Sequence, residues 1–379
     1  LLVAAKNDIA EGRPDAAKAK FGQAKSMILP IEVSDVDTRK AYGAVLAISE
    51  DLANAVRLAG SRVQKNRQEA AKKLADAVHK HGAKIGSQLY HAGRQTSSKT
   101  TGMPPVAPSP LPDPTVNEIP RELTRQDIRH LVHAYADAAK RVKKAGCDFV
   151  EIHGAHGYLI TQFLSPFSNR RTDEYGGTAT KRMHFLMEVY GAVRNAVGRD
   201  FPIIVRLSGD ELVKGGLTIK DTLVIAKALE QAGADALHIS AGNYASYGKG
   251  LMISPMAVPD GPLVRLSAAV KKAVRIPVIA VNKIRTPKMA ESILARKQAD
   301  FIAIGRSLLA DPDWPKKVQE GREEEISRCI ACNQGCISRL FENKDVWCTV
   351  NPEAGREHLF AKGLAMKTKR KHVIVVGGG

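Results

Sequence analysis

From about residue 68 onward, short runs rich in β-branched residues alternate with amphipathic helical stretches, and this alternation restricts the fold more than any other feature of the chain. The runs are AKIGSQL (83–89), CDFVEIH (147–153), PIIVRLS (202–208), DALHIS (235–240), PVIAV (277–281) and DFIAIG (300–305). They have the pattern of strands buried on both faces. Between most of them lie TRQDIRHLVHAYADAAKRVKKAG, TKRMHFLMEVYGAVRNAVG, TIKDTLVIAKALEQAG, PLVRLSAAVKKAV and TPKMAESILARKQ, with apolar residues at helical spacing. Thr124 and Thr286 stand at N-cap positions, the latter followed by Pro287, and Gly146 and Gly233 sit where C-terminal caps belong. Repeated strand-then-helix means a parallel sheet, because a parallel neighbour is reached only through a crossover. This many repeats favours an α/β protein built on a closed (β/α)8 TIM barrel over an open sheet.

Two more strands must then precede residue 68. SMILPIEV (26–33) and GAVLAISE (43–50) are the candidates, but only about ten residues separate them, which is short for a full crossover helix. Residues 1–67 are therefore assigned only as an N-terminal part of the barrel, with 68–318 as its body. The Pro-, Thr- and Ser-rich segment 95–123 follows the 83–89 strand. A long loop leaving that end of a barrel strand is either an active-site wall or a plain surface loop, and composition does not separate the two.

No stretch approaches the roughly 18 consecutive apolar residues of a membrane span, and the first residues show no signal-peptide pattern. Five cysteines are too few for a disulfide scaffold of this size, so a reducing, cytoplasmic setting is expected. The formal charge of +18 would draw the chain toward phosphates. Its basic residues are spread through amphipathic helices such as NRQEAAKKLADAVHKHG (66–82), and the only dense run is KGLAMKTKRK (362–371). No helix-turn-helix or basic-aromatic motif accompanies them, so neither nucleic acid nor membrane is expected as a partner.

Four cysteines crowd into Cys329-Ile-Ala-Cys332-Asn-Gln-Gly-Cys336 and, after eleven intervening residues, Cys348. Three thiolates on one turn plus a distant fourth can surround a cubane cluster, whereas zinc ribbons usually present two separated C-x-x-C pairs. The spacing thus favours a [4Fe-4S] cluster over zinc and marks 319–360 as a cluster segment. Cys147 opens a buried strand and reads as a small core residue. A second motif, His153-Gly-Ala-His156-Gly-Tyr158, falls directly at the C-terminal end of the 147–153 strand. A lone histidine there could merely cap backbone groups. Two imidazoles and a phenol within six residues could bind and protonate a substrate carbonyl system.

These strings, together with QLYHAGR (88–94), EIHGAHGYLITQFLSPFSNRRTDEYGG (151–177), VRLSGDE (205–211) and AIGRSLLADP (303–312), carry a resemblance over residues 68–352. The chain resembles the FMN-dependent old yellow enzyme superfamily, in the branch of 2,4-dienoyl-CoA reductases, 2-enoate reductases and bile-acid-type NADH oxidoreductases. The resemblance implies that Gln88 hydrogen-bonds the flavin pyrimidine and that Arg206 lies near the electron-rich end of that ring. It implies an FMN phosphate site at Asn282, Lys283, Gly305 and Arg306. His153 and His156 match the pair that binds the substrate carbonyl oxygen, and Tyr158 matches the proton donor to the neighbouring alkene carbon. The chain departs from the family at Leu29-Pro30-Ile31, where a Pro-Met-like turn is usual, and at Lys283, where many relatives carry the planar fork of arginine.

The implied activity is reduction of an activated carbon-carbon double bond, by electrons passing from NAD(P)H through FAD and cluster to FMN. The substrate would be a free enoate, an enoyl or dienoyl thioester, or an unsaturated steroid ketone, with the positive charge leaning toward a CoA ester. The final KHVIVVGGG looks like the first strand and glycine turn of a dinucleotide fold, making 361–379 a basic linker into a FAD and NAD(P)H domain that the resemblance expects to follow. Self-association is left open. Rival expectations are an amine dehydrogenase of the trimethylamine type and a non-catalytic electron-transfer subunit. The former attaches its flavin through a cysteine before the barrel's middle and cages the amine with aromatic rings. No cysteine precedes Cys147, and the only tryptophans are Trp314 and Trp347.

Overall fold

A computed structural model of the chain describes residues 30–32, 64–342 and 344–360. Its strands are β1 (Pro30–Glu32), β2 (Gly86–Leu89), β3 (Val106–Ala107), β4 (Arg121–Glu122), β5 (Phe149–Gly154), β6 (Ile203–Ser208), β7 (Ala236–Ser240), β8 (Val278–Val281) and β9 (Phe301–Ala303). Strands β2, β5, β6, β7, β8 and β9 pair in that order, every pair parallel. All six coincide with the strands read from the sequence. Each is joined to the next through helix, by Arg125–Lys144, Ala179–Val197, Ile219–Gln231, Val264–Ala273 and Pro287–Ala295 in turn. The result is an α/β parallel half-barrel consistent with a TIM barrel.

The N-terminal expectation needs correcting. Of the 26–33 segment only Pro30–Glu32 is a described strand, and it pairs antiparallel with β9, Ile31 opposite Ile302. It lies at the edge of the sheet, where a proline's missing donor is tolerated. The 43–50 candidate and the 361–379 segment lie outside the described residues.

The expected caps are in place. The Thr124 hydroxyl accepts from the Asp127 amide at 3.1 Å, and Asp127 accepts from the Thr124 amide at 2.9 Å, a reciprocal box that satisfies two orphan donors. Thr286 accepts from the Met289 amide at 3.3 Å with Pro287 at the first helical position. Gly146 (φ 84°) and Gly233 (φ 89°) take the left-handed conformation just past their helices.

Period-two alternation divides each strand between two environments. Outward residues such as Ile152, Ile203, Val205, Leu207, Leu237 and Ile239 are fully or almost fully buried in the main hydrophobic core. The inward residues form layers, as barrel interiors do. The lowest layer is apolar, with Phe149, Ile204, Ala236 and Ile279 packed together. Gly86 faces Phe149 across the register, and a β-carbon there would lie 2.2 Å from the ring, so the glycine makes room for it. The next layer is polar. Gln88 stands opposite Glu151, and Arg206 opposite His238. Above it, at the C-terminal rim, His153 is paired in register with Arg206, and Ser208 with Ser240.

The 95–123 segment forms a short helix, Ser98–Thr101, and the two-stranded parallel ribbon of β3 and β4. It is pinned to the loop that follows the short helix Leu159–Leu164. Arg171 donates to Pro108 O at 3.2 Å and to Leu123 O at 2.6 Å, and the Arg170 amide donates to Ser109 Oγ at 2.9 Å.

Candidate active site

Inside the half-barrel, the His238 ring nitrogen Nδ1 lies 2.8 Å from a Glu151 oxygen, and the Gln88 amide donates to the other oxygen of the same carboxylate. Burial alone would raise the Glu151 pKa, but His238, Arg206 and Gln88 outweigh it and hold the group below the usual carboxylate range. Arg206 therefore has a buried counter-charge. Glu151→Ala is expected to destabilise the fold by about 3–5 kcal/mol in urea titrations, because it strands a buried cation. Two polar atoms of this layer, Arg206 Nε and His238 Nε2, are buried with no partner. Such atoms point to a polar group that belongs beside them.

At the rim, the turn after β5 is held on every side. The His156 amide donates to Ser208 Oγ at 2.9 Å, and the Gln95 side chain donates to His156 O at 2.9 Å. Gly157 has a left-handed backbone (φ 75°), and a β-carbon there would also fall 2.7 Å from Asn243 Cβ, so a glycine is required for this approach. The turn also bridges in parallel to Asn243, beyond β7.

The tautomers of the two histidines follow from their partners. His153 Nδ1 accepts from the Ala155 amide at 3.1 Å, which leaves the proton on Nε2. That Nε2 lies 3.3 Å from His156 Nδ1, which must then accept, and His156 Nε2 donates to Ser240 Oγ at 2.6 Å. Both rings are neutral. Burial, with Arg206 and His238 nearby, pushes both pKa values well below 6.5. Tyr158 stands edge-on to His153, ring centroids 4.9 Å apart at 89°, and its hydroxyl lies 3.2 Å from that of Tyr244. Burial and the neighbouring Tyr244 raise its pKa well above 10, so the phenol keeps its proton at neutral pH.

Sequence reasoning missed several of these groups. His238, Ser240, Gln95 and Tyr244 meet the motif only through strand register and loop docking, and Glu151, two residues before His153, faces the layer below it. Glu211, at the end of the VRLSGDE string, carries no local signal of its role. Buried, and with its pKa raised by that burial, it accepts from Ser165, from the Leu217 amide at 2.8 Å and from Asn243 Nδ2 at 3.0 Å. It thereby ties the loops after β5, β6 and β7 together.

The four residues expected at the phosphate gather at the ends of β8 and β9, around the 251–260 loop. Asn282 (φ 89°) and Lys283 (φ 53°) are both left-handed. Asn282 Nδ2 donates to Leu251 O at 2.6 Å. The Lys283 ammonium donates to Pro255 O at 2.8 Å, to Met256 O at 3.1 Å and to Val258 O, so it is engaged with the loop. Gly305 precedes the short helix Arg306–Ala310. Arg306 Nη1 donates both to Ser254 O at 2.7 Å and to Asn333 Oδ1 at 2.6 Å, which joins the loop to the cysteine segment. Ser254 Oγ is buried there without a partner.

Cys329, Cys332, Cys336 and Cys348 line one cavity with Arg306 and Trp347. Among the described residues no group of three or more His, Cys, Asp or Glu could hold a single metal ion. Ala331 (φ 56°) and Asn333 (φ 62°) are left-handed, and the Ala331 amide is aimed at Cys329 Sγ at 3.3 Å. Cys332 Sγ lies 3.1 Å from Thr349 Oγ1. A β-carbon on Gly335 would fall 2.4 Å from Trp347 O, so this glycine lets the 346–350 strand of chain close against the turn.

A parallel α/β half-barrel with a polar interior layer and a His, His, Tyr rim at its strand ends is the framework of a barrel oxidoreductase. Residues 53–325 match the NADH:flavin oxidoreductase / NADH oxidase family, and the chain belongs to it and so to the old yellow enzyme superfamily, including its FMN and iron-sulfur branch. It is 50% identical over 308 residues to an NADH oxidase of Thermoanaerobacter brockii, which covers 81% of this chain and 47% of that protein. It is 36% identical over 323 residues to a cinnamate reductase of Clostridium sporogenes, covering 81% and 48%. Among solved structures it resembles a 2-naphthoyl-CoA reductase (TM-score 0.74, 32% identity, 84% and 48% covered). It also resembles a histamine dehydrogenase from Rhizobium sp. 4-9 (TM-score 0.68, 32% identity, 76% and 42% covered). The chain spans about half the length of the curated relatives it matches. No described helix is long and apolar enough to cross a membrane.

Proposed function

We propose that this chain reduces a carbon-carbon double bond conjugated to a carbonyl or thioester, at the rim site formed by His153, His156 and Tyr158. The observation that carries the proposal is the neutral, hydrogen-bonded imidazole pair set edge-on to a protonated phenol above a buried arginine. The family supports FMN as the flavin. Arg206 Nε and Ser254 Oγ are buried polar atoms without a protein partner, which a flavin ring and its phosphate would satisfy. Gln88 and Arg206 would hold the ring, and Asn282, Gly305 and Arg306 would hold the phosphate, with Lys283 fixing the 255–258 loop beside them. When bound, FMN supplies the hydride that goes to the β-carbon of the alkene.

The chain's own groups do the rest. His153 Nε2–H, which donates to His156 Nδ1, is the donor a carbonyl oxygen would take up. That hydrogen bond strengthens as the oxygen gains enolate charge, which is where a donor lowers the barrier. His156 is braced by Ser240 and keeps the pair oriented. Tyr158 donates its proton to the carbon next to the carbonyl.

A [4Fe-4S] cluster on Cys329, Cys332, Cys336 and Cys348 belongs to the same proposal. The four thiols share one cavity, backbone and hydroxyl donors point at their sulfurs, and the Arg306 cation stands beside them to offset cluster charge. NAD(P)H would be the electron source, reaching this chain through a FAD-bearing region of the kind the resemblance implies. The substrate is an unsaturated acyl compound or ketone. The relatives named for cinnamate and 2-naphthoyl-CoA favour an aryl-conjugated one. Amine oxidation fits the site less well. The two buried glutamates near it, Glu151 and Glu211, are already committed to protein donors and so not free to receive an ammonium group.

Cofactor extraction and an anaerobic absorption spectrum test the proposal. One FMN per chain with iron and sulfide is expected. A folded chain that takes up no FMN would refute an enzyme and leave an electron-transfer or assembly subunit.

A further inference from the structure

The described aromatic residues of the rim extend past Tyr158. Tyr244 follows β7, and its hydroxyl meets that of Tyr158 at 3.2 Å. Its loop has little freedom. Asn243 is buried, bonded to Glu211, bridged to His156, and accepts from the Ser246 amide at 3.1 Å. The ring of Tyr244 then meets Phe341 edge-on at 6.1 Å, and Phe341 also meets Tyr247 at 5.6 Å. Phe341 belongs to the cysteine segment. It ends the continuous helical stretch Gln334–Ser338 and Arg339–Phe341 that carries Cys336. Phe341 is 52% exposed, so hydrophobic burial does not account for its position.

Taking Tyr158 as the proton donor of the proposed reaction, we infer that Tyr244 is the positioning residue that supports Tyr158 as an acid, and that Phe341 of the cysteine segment holds Tyr244 in place. Burial makes Tyr158 reluctant to lose its proton, so an uncompensated phenolate there would be costly. As the carbon next to the carbonyl forms its new C–H bond, the Tyr158 O–H bond breaks. The Tyr244 hydroxyl lies within hydrogen-bonding distance and can take either role: it accepts from the neutral Tyr158 phenol, then turns to donate to the developing phenolate and passes its proton across, re-forming the Tyr158 O–H bond. The charge moves to Tyr244, which is half-buried and takes a proton from water. The hydride that completes the reduction comes from the reduced flavin, as above, so one hydride and one proton are added to the alkene.

Tyr244→Phe removes one oxygen and keeps the ring against Phe341. In single-turnover reoxidation of the dithionite-reduced holoenzyme by an aryl-conjugated enoate, it is expected to lower the limiting rate about ten- to a hundredfold, the worth of a hydrogen bond to a charged group. The concentration of alkene at half-saturation should stay the same. In a Tyr158→Phe background the same change should cost nothing further, because Tyr244 acts through Tyr158. Phe341→Ala should slow the wild type severalfold and leave Tyr244→Phe unaffected. With [13Cζ]tyrosine labelling, the Tyr158 resonance should move in both variants without substrate. Equal losses in the Tyr158→Phe background, a changed half-saturation, or an unmoved Tyr158 resonance would assign Tyr244 a purely structural role and overturn the inference. If Tyr158→Phe itself reoxidises at the wild-type rate, it is the proposed function that fails.

Discussion

Tyr158→Phe is expected to slow reoxidation of the reduced enzyme by an activated alkene by roughly two to four orders of magnitude, the usual worth of a positioned acid. The ring keeps its neighbours, with Tyr90 at 5.2 Å and His153 at 4.9 Å between centroids, so folding and ligand binding should change little. Reduction of the flavin by dithionite involves no substrate proton and should be untouched. His153→Ala should differ in kind. It removes the Nε2–H donor to the carbonyl oxygen in both ground and transition states, so binding weakens along with the rate. Stopped-flow traces of the two half-reactions, with alkene concentration varied, separate the cases.

Cys332→Ser is expected to abolish the cluster, with iron and sulfide falling from about four of each per chain toward zero. Cys332 is the thiol that donors most plainly favour in its ionised form. Its pKa is lowered despite burial, by Thr349 and the amides of Gln334 and Gly335. Serine offers a harder oxygen donor in the place of a soft thiolate. FMN content should persist, since the residues proposed to hold it lie on the barrel strands and the loops beyond them. Zinc in place of iron in the wild type, or a full cluster in the variant, would contradict the four-cysteine assignment.

The parallel strands were legible because each is an uninterrupted apolar run, and the His, His, Tyr motif because its members fall within six residues. The partners that make those residues work were not. Glu151 and His238 meet across 87 positions of sequence, and Tyr158 and Tyr244 across 86, contacts that exist only once strand register and loop docking are known. Lys283 shows the opposite failure. Its charge was legible, but not that the carbonyls of the 255–258 loop would claim it. At the N-terminus, β-branched content marked a strand around Pro30, while direction depends on tertiary pairing, and that pairing turned out antiparallel.

The central claim, alkene reduction at the rim of this barrel, is tested most directly by the stoichiometry of one anaerobic experiment. Enzyme reduced with dithionite to the two-electron flavin level, freed of excess reductant and mixed with a cinnamate-type enoate, should return to the oxidised flavin spectrum. It should release one saturated acid per flavin reoxidised. Reoxidation without saturated product, or no reoxidation by any conjugated enoate, thioester or ketone while amines reduce the oxidised enzyme, would contradict it.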